Sequence, residues 1–456
     1  MKASVRSRMN LTKRSKDSSR VFMALTAVVV TTATFAKSFV PFYLVGSTPI
    51  FVASCFLGLM LVALASRNLV EQATFIVDVL ALLFLLYCVI IASFLIYSLH
   101  RVPITHLFGI LIFHGLFLLF GFAAARAHKA VFAVLFAGAA IYLLIIAQYA
   151  VRFGDLMQGG YLNDIFGVGI LVIAITFHQN IGSMLSIAAL AATGLESKKV
   201  RLAAFAALPF LFGFLFYIAA RTAIAALVSS LLFLGGAALW VRSRKFALAG
   251  FAAIVVTAAV ASSVFYQRAL QDKDVDAVAP DAISRTIREI QDPRPLFRMQ
   301  IWTRAIHRIT TEPGRLPLGR GIGVFPIDEG FGAPDWLLRP AEGNKYYPHN
   351  VHLELLYETG LPGFLVFTVL TLLPLLFSLK YWDRLSSPER AAISLYVFYL
   401  ASIEISGSFA YSYGFQFFFG LAAGVVASKR MELAETGKIA TPPKTSPLPK
   451  LGKTSA

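Results

Sequence analysis

The sequence is short of charged residues. Only 14% of its 456 residues are Asp, Glu, Lys or Arg, against about 25% in a typical soluble domain. Hydrophobic residues make up 57%, and apolar runs of roughly 20 residues, the length that a helix needs to cross a bilayer, recur along most of the chain. Backbone groups in lipid must be hydrogen-bonded within their own segment. The sequence therefore predicts an all-α integral membrane protein.

Cysteine is scarce, and no cleavable leader is predicted. The chain has two cysteines, Cys55 and Cys88, and both lie inside apolar runs, where cysteine behaves as a small core residue. This usage does not favour a disulfide framework. The basic residues up to Arg20 run straight into an apolar segment without a small-residue cleavage site, which predicts a retained first span.

About twelve apolar segments are predicted to span the membrane. Lys and Arg cluster in one set of short connections, whereas the other set carries single cations. The positive-inside rule then predicts that both termini are cytoplasmic. The net charge of +17 follows from this asymmetry and the basic tail, and it is no sign of nucleic-acid binding. The predicted spans are 21–44, 47–66, 75–98, 104–125, 129–149, 163–194, 200–219, 222–241, 246–266, 361–380, 389–407 and 409–427.

One connection stands out by its length. The ninth and tenth spans are joined by about 94 residues, and a loop of that size is uncommon unless it is functional. The stretches "DAISRTIREIQD" and "LFRMQIWTRAIHRIT" predict two amphipathic helices within it. Five regions follow from this pattern. They are a basic cytoplasmic leader at 1–20, a bundle of about nine spans at 21–266, a periplasmic catalytic loop at 267–360, about three spans at 361–428 and a disordered cytoplasmic tail at 429–456.

Two arginines are candidate anion ligands. Arg221 lies between two apolar segments at the predicted outer surface, and an arginine near lipid is costly unless it snorkels or meets an anion. Arg298 shares a predicted helical face with Trp302, Ala305 and Ile309, which would hold it against the bundle. A snorkelling turn residue and a salt bridge to a loop carboxylate are the structural alternatives for Arg221 and Arg298, respectively.

The polar stretch "NKYYPHNVHLELLYETGLPGF" at 344–364 directly precedes a span. His349 would lie in the first turn of a helix just above the membrane, and histidine is the usual side chain for proton transfer near neutral pH. The alternative is a helix-capping histidine. His352 lies three residues on, but no third ligand has a recognisable spacing, so no metal site is predicted. The alternating Gly319, Gly321 and Gly323 permit close backbone approach and are no nucleotide-binding fingerprint.

Taken in order, these features resemble the O-antigen ligase and polymerase superfamily. The family combines many spans with one large periplasmic loop near its C-terminal end. Its arginine–tryptophan helix, glycine turn and histidine–asparagine helix are matched here by "RMQIW", "LPLGRGIGVFP" and "PHNVHLELLYETGLPG". Its upstream helix start is matched by "ARTAIAAL", with alanine where serine is usual. The resemblance covers roughly residues 200–427; His352 and Arg320 depart from the pattern.

The resemblance implies a GT-C-like glycosyltransferase of the bacterial inner membrane. Such enzymes transfer a glycan from undecaprenyl diphosphate to an acceptor hydroxyl at the periplasmic face. Partners would be the lipid-linked donor, lipid A–core or a glycan as acceptor, and membrane lipid, with no nucleic acid, cofactor or metal. His349 would be the general base, and Arg221 and Arg298 would bind the diphosphate. The residues expected to support them are Trp302, Gly321, Arg320, Asn350 and Glu354.

Three functions stay open from the sequence. A ligase moves a finished chain onto lipid A–core, whereas an O-antigen or exopolysaccharide polymerase joins repeat units, and the two share these motifs. Ligation is the preferred interpretation. A lipid or polysaccharide transporter is a more distant alternative, because transporters keep ionisable residues deep in their spans and this chain has few.

Overall fold

A computed structural model of the chain is almost entirely helical over the residues that it describes. Those residues are 20–35, 47–153, 160–163, 169–172, 174–218, 220–253, 256, 297–329 and 348–437. The predicted leader (1–20, except its last residue) and the predicted helix "DAISRTIREIQD" lie outside them.

The helices follow the apolar runs of the sequence. They are α1 Arg20–Phe35, α2 Ser47–Leu64, α3 Ser66–Ala73, α4 Val77–Ser93, α5 Ile104–Ala124, α6 His128–Phe153, α7 Ala174–Thr193, α8 Lys198–Tyr217, α9 Arg221–Arg242, α10 at 244–253, α11 Phe297–Thr311, α12 Phe325–Asp328, α13 Val351–Lys380, α14 Ser387–Ser406 and α15 Tyr413–Glu435.

Two stretches differ from the prediction of helical spans and a disordered tail. Strands β1 (Gly160–Asn163) and β2 (Gly169–Val172) pair antiparallel. β1 ends at the first residue of the predicted span 163–194 and β2 lies within that span, whose described helical part is α7. The Gly-rich start of this segment favours a hairpin, because glycine weakens a helix. At the other end, α15 continues through 429–435, which were predicted as part of the disordered tail.

Five described helical stretches are long and apolar enough to cross a membrane. One of them, Ile104–Gln148, runs for 45 residues, or about 68 Å, roughly twice the thickness of a lipid core. A 3-10 turn at Ala125–Ala127 interrupts it, between two of the predicted spans. The count of twelve spans stays a prediction. The other four stretches are Leu69–Ser98, Lys198–Tyr217, Arg221–Arg242 and Val351–Lys380.

Helices α5 and α15 cross at near backbone contact. A methyl group added at Gly121 would lie 1.8 Å from the carbonyl oxygen of Phe417, and one added at Gly420 would lie 2.0 Å from that of Leu118. In a membrane protein, association depends on close packing, because lipid tails are as apolar as leucine; small residues at the crossing allow it. Helices α13 and α14 also pack against α15.

We expect Gly121→Ala to lower the thermal unfolding midpoint of the purified protein strongly. The added methyl group would collide with backbone rather than with a flexible side chain, and overpacking costs about 1–3 kcal/mol or more. Gly115→Ala on the same helix is the matched control, since nothing lies within 4 Å of an added methyl group there. Equal midpoints for the two variants would contradict the close crossing.

Candidate functional site

The glycine turn after α11 packs against the first part of α13. Gly319, Gly321 and Gly323 have φ angles of 71°, 114° and 74°, which side chains rarely adopt. The turn contributes the N–H of Gly321 to the carbonyl of Glu358, at 2.9 Å. A methyl group on Gly319 would lie 2.3 Å from the backbone carbon of Glu358. The glycines therefore allow the backbone of the turn to approach the backbone of α13 closely, and Gly321 is one of the residues that make this contact.

Arg320, within this turn, lies among carboxylates. Its Nε donates to Asp328 at 2.8 Å and its guanidinium also binds Glu312, while its plane lies 5.5 Å from the ring centre of Tyr357. Burial would lower the pKa of Arg320, but the hydrogen bonds to Asp328 and Glu312 have the larger combined effect. The pKa of Arg320 is therefore raised. Burial likewise opposes ionisation of Asp328, yet the bonds from Arg320 and Arg101 lower its pKa. Arg320 thus holds the turn together.

Helix α11 docks through a small apolar cluster. Ile301 and Ala305 are fully buried against Phe325 and Tyr357, as a helical face with i, i+4 spacing predicts. Trp302 lies beside them, and its ring N–H donates to the carbonyl of Pro348 at 2.5 Å. Arg298 lies in the first turn of α11, but its side chain is outside the described residues.

His349 has the one positive φ angle among the described non-glycine residues, 55°. Such a conformation costs about 1–3 kcal/mol and persists where neighbouring contacts fix it. Both neighbours are fixed here. Trp302 binds the carbonyl of Pro348, and Asn350 caps α13 by accepting from the N–H of Leu353 at 2.8 Å. The half-buried His349 therefore sits in a strained, rigidly held turn at the start of α13.

The first turn of α13 is tied to the end of α14. The side-chain amide of Asn350 donates to the carbonyl of Glu404 at 3.0 Å. His352 Nδ1 lies 2.8 Å from the carboxylate of Glu404, and its ring packs edge-on against Phe364 and Phe367. The contact with Glu404 gives His352 a structural role, and His349 lies directly before the helix cap Asn350.

Glu354 extends this connection to the turn between α14 and α15. Its side chain is 1% exposed, and its carboxylate accepts from the N–H of Phe409, at 3.1 Å, and the hydroxyl of Ser408, at 3.1 Å. One turn further on, the equally buried Glu358 accepts from the N–H of Phe325 at 3.2 Å. Two carboxylates of one helix therefore hold two separate loops.

We expect Glu354→Ala to destabilise the protein, because it leaves the buried N–H of Phe409 without an acceptor, at a cost of about 1–3 kcal/mol. Glu354→Gln keeps an acceptor oxygen and should lose less. The control is Glu196→Ala, since Glu196 pairs with Lys129 on the surface and exposed pairs contribute little. Thermal unfolding in detergent measures all three. An unfolding midpoint for Glu354→Ala equal to the control's would show that this carboxylate holds nothing.

Arg221 is the first residue of α9 and is half-buried. The next residue, Thr222, lines a cavity of about 710 Å³ between α1, α2, α5, α7, α9, α14 and α15. The turn 406–412 that Glu354 holds also borders this cavity. Arg221 is thus next to a residue that lines the cavity, and α13 is connected to the cavity through the turn that Glu354 binds.

Among the described residues, no three His, Cys, Asp or Glu side chains form a cluster that could hold a metal ion. The arrangement offers a histidine at a rigid turn, an arginine at a helix start and a large cavity nearby. Such groups can move a proton and neutralise an anion.

Sequence patterns missed the loop residues that position the site. Ser408, Phe409 and Glu404 lie in a predicted span or connection, and their role depends on contacts with α13 that are 54 or 55 residues apart in the chain. The sequence offered Glu354 as a signal, because it is a carboxylate close to the start of an apolar run. Such a group is rarely buried without a partner.

The chain matches a known protein family over part of its length. The family described as O-antigen ligase matches residues 205–368, a stretch that includes Arg221, Arg298, the glycine turn and His349. No curated protein matches the chain. The predicted resemblance is confirmed. Residues 205–368 of this helical chain match the family described as O-antigen ligase, and this match supports the O-antigen ligase superfamily.

Proposed function

We propose that the protein transfers a glycan from undecaprenyl diphosphate to an acceptor hydroxyl at the periplasmic face of the inner membrane. The observation that carries the proposal is the strained backbone of His349, which Trp302 and Asn350 fix from both sides. Strain of this kind is typical of functional sites. The family match supports glycan transfer as the reaction class.

His349 would act as the general base. It accepts the proton of the acceptor hydroxyl while that oxygen attacks the anomeric carbon of the donor sugar. A new glycosidic bond forms, the bond from that carbon to the diphosphate breaks, and its electron pair leaves with undecaprenyl diphosphate. Direct displacement inverts the configuration at the anomeric carbon.

Arg221 and Arg298 would bind the departing diphosphate. A guanidinium offers paired N–H donors that match phosphate oxygens and keeps its charge at every physiological pH. Charge grows on the leaving group in the transition state, so donors held there lower the barrier. Two arginines would supply the neutralisation that a divalent ion provides in other enzymes, which makes the proposed reaction metal-independent.

Ligation to lipid A–core is the preferred form of this reaction. A deletion strain complemented with the gene separates ligation from polymerisation. A ligase restores O-antigen on lipid A–core while lipid-linked polymer length stays normal. A polymerase restores polymer length, and without it only single repeat units are found on the lipid.

Reporter fusions test the proposed topology. Fusions at about residue 280 and after residue 437 should report opposite compartments, periplasm for the first and cytoplasm for the second, because Lys and Arg favour the cytoplasmic side. A fusion after Ser243, in the short connection between α9 and α10, is the internal control and should be cytoplasmic. Agreement between the first two fusions would show that the predicted span count is wrong and would contradict the proposed topology.

A further inference from the structure

The cavity of about 710 Å³ has a consistent position in the fold. Helices α1 and α14 line it with residues of their C-terminal halves, whereas α2, α5, α9 and α15 line it with residues of their N-terminal halves and α7 lines it with residues near its middle. Antiparallel helices contribute opposite halves in this way where a cavity lies towards one end of a bundle. In the predicted topology this is the periplasmic end, where Arg221 lies next to the cavity residue Thr222.

The lining is aromatic and neutral. Asp, Glu, Lys, Arg and His are absent from the described residues that surround the cavity. Pockets that bind small molecules combine such apolar walls with a few polar groups that fix orientation. The aromatic side chains are Phe35, Phe51, Phe113, Tyr399, Tyr413 and Phe415, and the polar ones include Gln179, Asn180, Ser183, Thr222, Ser402 and Ser412.

One of these polar groups has no hydrogen-bond partner in the part of the chain that the structure describes. The hydroxyl oxygen of Ser402 is buried and has no hydrogen-bond partner among the described residues, although buried polar atoms are nearly always paired. A wall for a purely apolar chain would not need this hydroxyl, nor the amides of Gln179 and Asn180. Hydroxyl groups of a ligand would pair with all three.

The wall that carries Ser402 is connected to the candidate base. Asn350 binds the carbonyl of Glu404 at 3.0 Å, and Glu354 binds the N–H of Phe409 at 3.1 Å. Both belong to the helix that His349 precedes. A ligand in the cavity would therefore lie against a wall whose position is fixed relative to His349.

We infer that this cavity binds an uncharged sugar of the lipid-linked glycan, through its hydroxyl groups and the aromatic walls. This rests on the proposed function and adds the site and the class of sugar. The diphosphate would lie at the rim beside Arg221, and the neutral lining selects against a uronic acid or a phosphorylated sugar, since a charge without a partner is costly to bury.

The test uses purified full-length protein and two probes. One is undecaprenyl diphosphate, and the other is undecaprenyl diphosphate carrying a single neutral N-acetylhexosamine. We expect Ser402→Ala to weaken binding of the sugar-bearing lipid about fivefold, the effect of one neutral hydrogen bond. Asn180→Leu should weaken it more. Neither change should alter the Kd for undecaprenyl diphosphate.

Ser229→Ala is the matched control, because the Ser229 hydroxyl bonds only to a carbonyl of its own helix in the described contacts and does not line the cavity. Its Kd values should equal those of the wild type. Equal weakening of both probes by Asn180→Leu would assign the cavity to the prenyl chain and overturn the inference. Unchanged binding of the sugar-bearing lipid by both variants would also overturn it.

Binding and transfer fail separately. If the wild type binds the sugar-bearing lipid through Ser402 and Asn180 but transfers no glycan, the cavity assignment stands and the proposed function is wrong. If the wild type transfers glycan while both variants bind normally, the proposed function stands and the cavity assignment is wrong.

Discussion

His349→Ala is expected to reduce glycan transfer about 10²–10⁴-fold, the usual contribution of a general base. Residual transfer should survive, because positioning of the two substrates does not depend on the base. The measurement is conversion of lipid-linked glycan to glycosylated acceptor by purified protein, at saturating donor. The protein should still accumulate and unfold at a similar temperature, because the side chain is half-buried rather than part of the core.

His352→Ala is the matched control for this change. His352 lies one turn further along, beside Glu404 at 2.8 Å, so a general base at position 349 could not be replaced from there. We expect a modest loss of stability and nearly normal transfer. Normal rates in His349→Ala together with an inactive His352→Ala would assign the base to the other histidine. Normal transfer rates in both variants would show that neither histidine is the general base, and Glu354 and Glu358 would be the next candidates to test.

Arg221→Ala and Arg298→Ala are each expected to reduce transfer about 10²–10³-fold, the cost of removing one preorganised donor from a developing charge. The loss should appear in kcat more than in KM, because charge on the diphosphate grows as the bond breaks. Lysine at either position should rescue only part of the rate, since it offers a point charge without paired donors.

Arg304→Ala tests whether any cation on α11 could neutralise the diphosphate. Arg304 lies on the same helix as Arg298 but is exposed, and we expect its loss to change transfer little. Full activity in Arg298→Ala would show that Arg298 is a bystander. Loss of activity with a chelator, restored by a divalent ion, would shift the neutralising role to a metal.

The fold was predictable wherever hydrophobicity alone decides it. Apolar runs such as 104–125 became helices because lipid and core both require internal backbone pairing. The prediction of a helical span over 163–194 was wrong at residues 169–172, because an apolar run in a glycine-rich context can form a strand as well as a helix. The α5–α15 crossing could not be read from the sequence, because Gly121 meets its partner carbonyl nearly 300 residues away.

The site was predictable where a residue type carries its own chemistry. His349, Arg221 and the glycine turn could be selected as an unusual histidine, an isolated arginine and alternating glycines. Arg320 could not be understood in this way, since its role depends on Asp328 and Glu312, which the turn brings to it. The cavity likewise arises from residues of seven helices that no local pattern connects.

The most direct test of glycan transfer from a lipid diphosphate is a reconstituted reaction. Purified full-length protein in detergent is mixed with undecaprenyl-diphosphate-linked glycan, lipid A–core and a chelator, without an ion gradient. We expect glycosylated lipid A–core and free undecaprenyl diphosphate in equal amounts. A protein that binds the donor but forms neither product with lipid A–core or with a second lipid-linked glycan as acceptor, even when divalent ions are restored, would contradict the proposed function.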